Sequence, residues 1–208
     1  MQVTTKLSCL AMGLLLLAAC TTTKVLHEWR NKDGAGTRFG HLMVVALFKQ
    51  DQNRRMLEDE FAWQISNMGP MVTRSYNLLP SLNENTTGQL ASLALAVGAD
   101  GILVIRMVNS TQPTENASCN SPPNPMDLPG FSQHSWNDNY DPPDLMTNTV
   151  MTVESRLFDA KTGKLVWSLA TESKNQFGLK WEINLLAKRV LDMMKDATQA
   201  KQRHDAIF

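Results

Sequence analysis

Two short runs in this chain are too apolar to lie on a surface. Leu42 to Phe48 carries no polar residue, and Ile102 to Val108 carries one, Arg106. Successive side chains of a strand point to opposite faces, so a strand with one wet face alternates. Runs that do not alternate, and that are partly β-branched, suit strands buried on both faces. A chain holding two of them needs a sheet whose faces are both covered.

The segments around these runs supply the cover. Arg54 to Met68 places Leu57, Phe61, Ile65 and Met68 at helical spacing, and Gly69-Pro70 stops it. Met71 to Tyr76 reads as a second strand. Pro80 to Asn85 is a turn, with Asn85 or Thr87 as a cap for a second helix marked by Leu90, Leu93, Ala94 and Val97. Gly98-Ala99-Asp100-Gly101 ends that helix with two candidate left-handed positions before the third strand, Ile102 to Val108.

Thr149 to Phe158 and Lys164 to Lys174 are two further strands, and Asp159 to Gly163 joins them as a hairpin. A final helix, about Leu179 to Ala200, aligns Leu179, Ile183, Leu186, Ala187, Val190, Met194 and Ala197. The expected fold is α/β (α+β): a mixed sheet built as β-α-β-α-β, then a β-hairpin and a C-terminal helix, with helices packed against the sheet.

The N-terminus differs in kind. Lys6 is followed by a short apolar run, Leu10 to Ala19, too short for a bilayer core, which needs roughly 20 apolar residues. Leu17-Ala18-Ala19-Cys20 resembles the lipobox of bacterial lipoproteins. In that family the cysteine takes diacylglycerol, the chain is cut before it, and the new amine is acylated. The resemblance implies a signal peptide at 1–19 and lipid attachment at Cys20. Thr21 in place of Asp after the cysteine implies passage to the outer membrane. Residues 20–40 then form the lipidated N-terminus and a tether, within which Val25 to Trp29 could add an edge strand. Residues 41–208 form one periplasmic domain.

The mature chain, from Cys20, has 19 basic and 20 acidic side chains, which argues against a nucleic-acid partner and against a polybasic membrane patch. Cys9 leaves with the signal and Cys20 is lipidated, so Cys119 alone remains and no intrachain disulfide framework exists.

Seven of nine prolines fall within residues 110–146. Each fixes φ and removes a donor, so regular structure is not expected there. The same stretch holds Phe131, His134, Trp136 and Tyr140, and linkers are poor in aromatics. It therefore packs on the parent domain, engages a partner, or is disordered. Phe131, Trp136 and Tyr140 are candidate partner contacts. Met56 and Trp63, seven apart and off the main helical stripe, are candidates for a second apolar patch.

No nucleophile, zinc or phosphate-loop motif is present, and neither an enzyme, a metal nor a cofactor is expected. His134 with Asp138, Asp141 and Asp144 matches no established cation site. Glu58-Asp59-Glu60 reads as a solvated acidic face near a helix start.

Val97-Gly98-Ala99-Asp100-Gly101-Ile102-Leu103-Val104 and Val153 to Ser168, with its Asp159-Ala160-Lys161-Thr162-Gly163-Lys164-Leu165-Val166-Trp167 core, resemble segments of a Gram-negative outer-membrane lipoprotein family. The wider group resembles the curli-secretion lipoprotein CsgG, the synthase-activating lipoprotein LpoB and the amino-terminal domain of TolB. That resemblance, over roughly 40–200, implies binding or assembly and no catalysis. The chain lacks the long alternating strands of a membrane barrel and the long disordered tether of the synthase activator. The expected function is a lipid-anchored, periplasm-facing binding or adaptor module of a cell-envelope assembly. The alternative is a homo-oligomeric structural component of a secretion or envelope complex, and a third, weaker option is an enzyme acting on wall or lipid.

Overall fold

The computed structural model describes residues 23–32, 38–108, 127–137, 150–174 and 179–204. The signal segment, Cys20, Cys119, Tyr140 and the loop aspartates lie outside them.

Among the described residues, six strands form one mixed sheet: β1 (Thr23–Arg30), β2 (His41–Leu47), β3 (Met71–Arg74), β4 (Gly101–Val108), β5 (Val150–Asp159) and β6 (Leu165–Lys174), in the spatial order β1-β6-β5-β4-β2-β3. β2 runs parallel to both neighbours, β3 and β4. The other pairings, β4 with β5, β5 with β6 and β6 with β1, are antiparallel. The parallel half is the β-α-β-α-β segment, because parallel neighbours need a crossover connection. The edge strand read as an option at Val25 to Trp29 is β1, so residues 23–30 belong to the sheet rather than to a free tether.

Among the described residues, four helices longer than one turn cover the sheet: α1 (Asp51–Asn67), α2 (Leu90–Ala96), α3 (Leu128–Asn137) and α4 (Leu179–His204). On one face Leu42, Val44, Ala46, Leu103, Ile105 and Met107 meet Leu57, Phe61 and Ile65 of α1 and Ile183, Leu186, Ala187 and Val190 of α4. On the other, Met43, Val45, Leu47, Ile102 and Val104 meet Leu90 and Ala94 of α2 and Leu128 and Phe131 of α3. The two non-alternating runs are thus the central strands of a sheet covered on both sides, and both are buried almost throughout.

Several local expectations change. Met68 is not part of the buried α1 stripe: it is the C-cap, 40% exposed, and Gly69 beyond it takes φ 113°. β3 stops at Arg74, and Ser75–Asn77 make a 3-10 turn. Neither Asn85 nor Thr87 caps α2. Both fall in a one-turn helix, Glu84–Thr87, where the Asn83 side chain accepts the Thr86 N–H; α2 starts after Gln89 without a side-chain cap.

Of the two candidate left-handed glycines only Gly98 is one (φ 74°). Gly101 is a strand residue under close approach: a Cβ there would sit 2.5 Å from the Phe39 ring and 2.6 Å from Leu42.

The largest correction is α3, a ten-residue helix inside the proline-rich stretch. Asp127 accepts the Gly130 N–H at 2.8 Å, the bond of an N-cap. Pro129 falls in the first turn, where a missing N–H costs nothing. Leu128, Phe131, Ser132 and Ser135 form its buried stripe.

Candidate contact surface

The aromatic residues proposed for contact separate on folding. Phe131 is fully buried, so it serves the core and is not a surface anchor. Its ring lies 5.6 Å from that of Phe158, with the guanidiniums of Arg156 and Arg106 over it at 4.0 and 5.2 Å. Trp136 is half-buried against the same cluster. Met56 is half-buried against the opposite cluster, whereas Trp63 is 60% exposed, so these two do not form one open patch. His134 is exposed on α3, and no group of three metal-ligating side chains occurs among the described residues.

A different apolar group does gather at the surface. Arg55, Asp59 and Trp63 repeat every fourth residue and so share one stripe of α1. The first two reach toward β3 and its following turn: the Arg55 guanidinium lies over the Tyr76 ring at 4.6 Å, and Asp59 pairs with Arg74 and accepts the Tyr76 hydroxyl, both at 2.6 Å. Partial burial and this bond to Asp59 hold the Tyr76 hydroxyl above its ordinary pKa.

α1 runs back toward the start of β3, so the next residue of the stripe, Trp63, is carried to that end. Met68 and Met71, the first residue of β3, are exposed there, Met71 to 66%. Among the described residues β3 pairs only with β2, which leaves its outer edge open. Trp63, Met68 and Met71 are thus three exposed apolar side chains around the α1–β3 connection and beside a sheet edge, called the ledge below. On the other flank of α1, the Glu60 carboxylate accepts from Gln64 and Asn184, and Gln64 also donates to the Asn184 carbonyl. Those bonds fix α1 against α4, whose Trp181 is 54% exposed.

Two buried ionic clusters brace the frame. Glu58, read as solvated, is fully buried with Arg54. Its carboxylate accepts from the Ala46 and Tyr76 N–H groups, the Ser75 hydroxyl and Arg54 Nε, tying β2, α1 and the 3-10 turn together. Burial pushes its pKa up, against the pull of Ser75, Arg54 and the two amides. On the α3 side, Glu154 bridges Arg106 and Arg156 at 2.6 Å each. Burial again raises the carboxyl, but two guanidiniums outweigh it and the net shift is downward.

Neither cluster was anticipated from the sequence. The signals were present: an Arg four residues before a Glu on a helix, and an isolated Arg inside an apolar strand.

No family model matches the sequence, and no curated protein is significantly similar to it. Two structures of the PelC dodecamer from Paraburkholderia phytofirmans are similar to the fold, at 14% and 12% identity. Each has a TM-score of 0.43 over 82% of this chain and 96% of the other. The lipoprotein GNA1162 from Neisseria meningitidis is similar at 13% identity and a TM-score of 0.42, over 76% of this chain and 98% of the other. No helix among the described residues is long and apolar enough to cross a membrane.

Proposed function

We propose that the chain is a non-catalytic, lipid-anchored binding or adaptor module of the bacterial outer membrane, facing the periplasm and accessory to a cell-envelope assembly. It engages a protein partner through the Trp63–Met68–Met71 ledge. The observation that carries this is the exposure of three large apolar side chains beside an open strand edge. Large aromatics suit the role because they bury much area for few lost rotamers, and an unpaired edge can accept an added strand. The lipobox supports the anchor, and the resemblance to the CsgG, LpoB and TolB group supports a binding role. Contact through the proline-rich stretch would fall to Trp136 and Tyr140, since Phe131 is core.

The test is photo-crosslinking in intact cells from a probe replacing Trp63. A discrete adduct with another envelope protein supports the adaptor. Absence of any adduct, from a protein that is folded and exported, refutes the ledge as the contact surface.

A second reading, a homo-oligomeric structural component, has its own supporting observation. Among the described residues both outer strands, β1 and β3, pair on one side only. Different surfaces on opposite sides of a subunit are what head-to-tail rings use. An adduct between two copies, and a light-scattering mass that is a multiple of the monomer, would favour it.

A further inference from the structure

Resting on the lipid anchor proposed above, the strand register fixes which way the domain stands. Only Thr21 and Thr22 separate Cys20 from Thr23, the first residue of β1. Three residue steps span at most about 10 Å even when fully extended. The acyl chains hold Cys20 at the headgroup layer, so the start of β1 is within about 10 Å of that layer.

The sheet determines what shares that level. Thr23 pairs with Ser173, and Ser173 with Met151; Lys24 pairs with Glu172, which pairs with Thr152, opposite Val108. Val150, the first residue of β5, lies one step further out and is an exposed apolar side chain. The far end of the same strands differs in chemistry. Asp100, Lys161, Thr162 and Lys164 are all exposed around the β5–β6 turn. Nine steps along β5, from Val150 to Asp159, cover about 30 Å.

We propose that the end of the sheet formed by Thr23, Val108, Val150 and Ser173 lies against the headgroup surface of the bilayer that holds Cys20. The charged turn at Lys161 stands about 30 Å away. Met71 pairs with His41, at the level where Leu42 meets Gly101 and Gly101 meets Asp159, so it belongs to the far end. The Trp63–Met71 ledge is then presented away from the bilayer, toward the periplasm. The bilayer is the one occupant assigned to the Val150 end.

The test uses the mature lipidated protein carrying Cys119→Ser, labelled with a fluorophore at Val150→Cys, Lys24→Cys or Lys161→Cys in separate samples. All three sites are exposed. Each is reconstituted into vesicles of phosphatidylethanolamine and phosphatidylglycerol containing a headgroup-nitroxide lipid. Intact mass first establishes whether Cys20 is acylated. The expected result is quenching several-fold stronger at Val150 and Lys24 than at Lys161. Acylated protein with equal quenching at all three means the sheet lies flat and overturns this orientation while leaving the anchor standing. Stronger quenching at Lys161 overturns it as well. An unacylated Cys20 overturns the anchor and the orientation together. Lys24 and Val150 lie on different strands, so one misfolded variant does not decide the outcome.

Discussion

Replacing Glu58 with alanine removes the one acceptor on which three elements converge. The Ala46 and Tyr76 N–H groups, the Ser75 hydroxyl and the Arg54 guanidinium all lose it. Arg54 is fully buried and cannot turn to water. Breaking a buried pair by deleting one partner costs about 3–5 kcal/mol, mostly from the charge left behind. Each orphaned buried amide adds about 1–3 kcal/mol where water cannot reach it. A loss of about 4 kcal/mol is a large share of the roughly 5–15 kcal/mol that stabilises a domain. With a urea slope of about 2 kcal/mol per molar, the unfolding midpoint should fall by about 2 M. A fall below about 0.5 M at unchanged slope would refute the argument.

The double variant Arg54→Met/Glu58→Leu should recover only part of the loss, because the two amides still lack an acceptor. The pH dependence has a definite sign. Burial raises the folded pKa of Glu58. The protonation-linked part of its contribution is therefore complete below the unfolded carboxylate pKa, about 4.3, and is lost as pH rises through the folded value, while the hydrogen bonds to the two amides persist. Relative to Glu58→Gln, the wild-type chain should lose stability from pH 4 upward until that carboxyl has ionised.

Glu154 should behave in the opposite way: its folded pKa is lowered, so its contribution is present above the unfolded value and is lost as pH falls through the folded one. Glu154→Gln should cost about 3 kcal/mol at pH 7, with the gap closing in acid, read from urea midpoints across pH. Phe131→Ala should cost about 3–5 kcal/mol, since the ring is fully buried under two guanidiniums. Trp63→Ala should change stability by no more than about 0.5 kcal/mol in the same assay; a larger loss would mean that its ring packs on the domain.

The frame was legible where one physical requirement dominated the residues. Leu42 to Phe48 and Ile102 to Val108 could be little else than doubly covered strands, and Asp159 to Gly163 turns the hairpin with Gly163 at φ 67°. α3 was missed because the prolines of residues 110–146 argued against any regular structure there, although Leu128, Phe131, Ser132 and Ser135 share one buried stripe. Counting prolines hid the pairing of Asp127 with Pro129, which marks a helix start. Glu58 was misread because three consecutive carboxylates look solvated, yet consecutive helical residues face different ways. Asp59 and Glu60 turn toward β3 and α4, while Glu58 turns inward. The ledge was half visible: Trp63 stood off the apolar stripe, but which strand would lie open beside it depends on the order of the sheet.

That order also sets how the domain bears load. β1, the strand that follows the proposed anchor, pairs with β6, a strand nearly 150 residues further along, and with no other among the described residues. In the proposed arrangement, a pull between the bilayer and a partner held at the far end would enter at Thr23 and run along the β1 axis. The bonds of an antiparallel ladder lie across that axis. They are therefore strained together in shear, instead of parting one after another as in unzipping. Under the proposed anchoring, the joint between anchor and domain is a tension-bearing seam, and it closes only once β6 has been synthesised and brought beside β1.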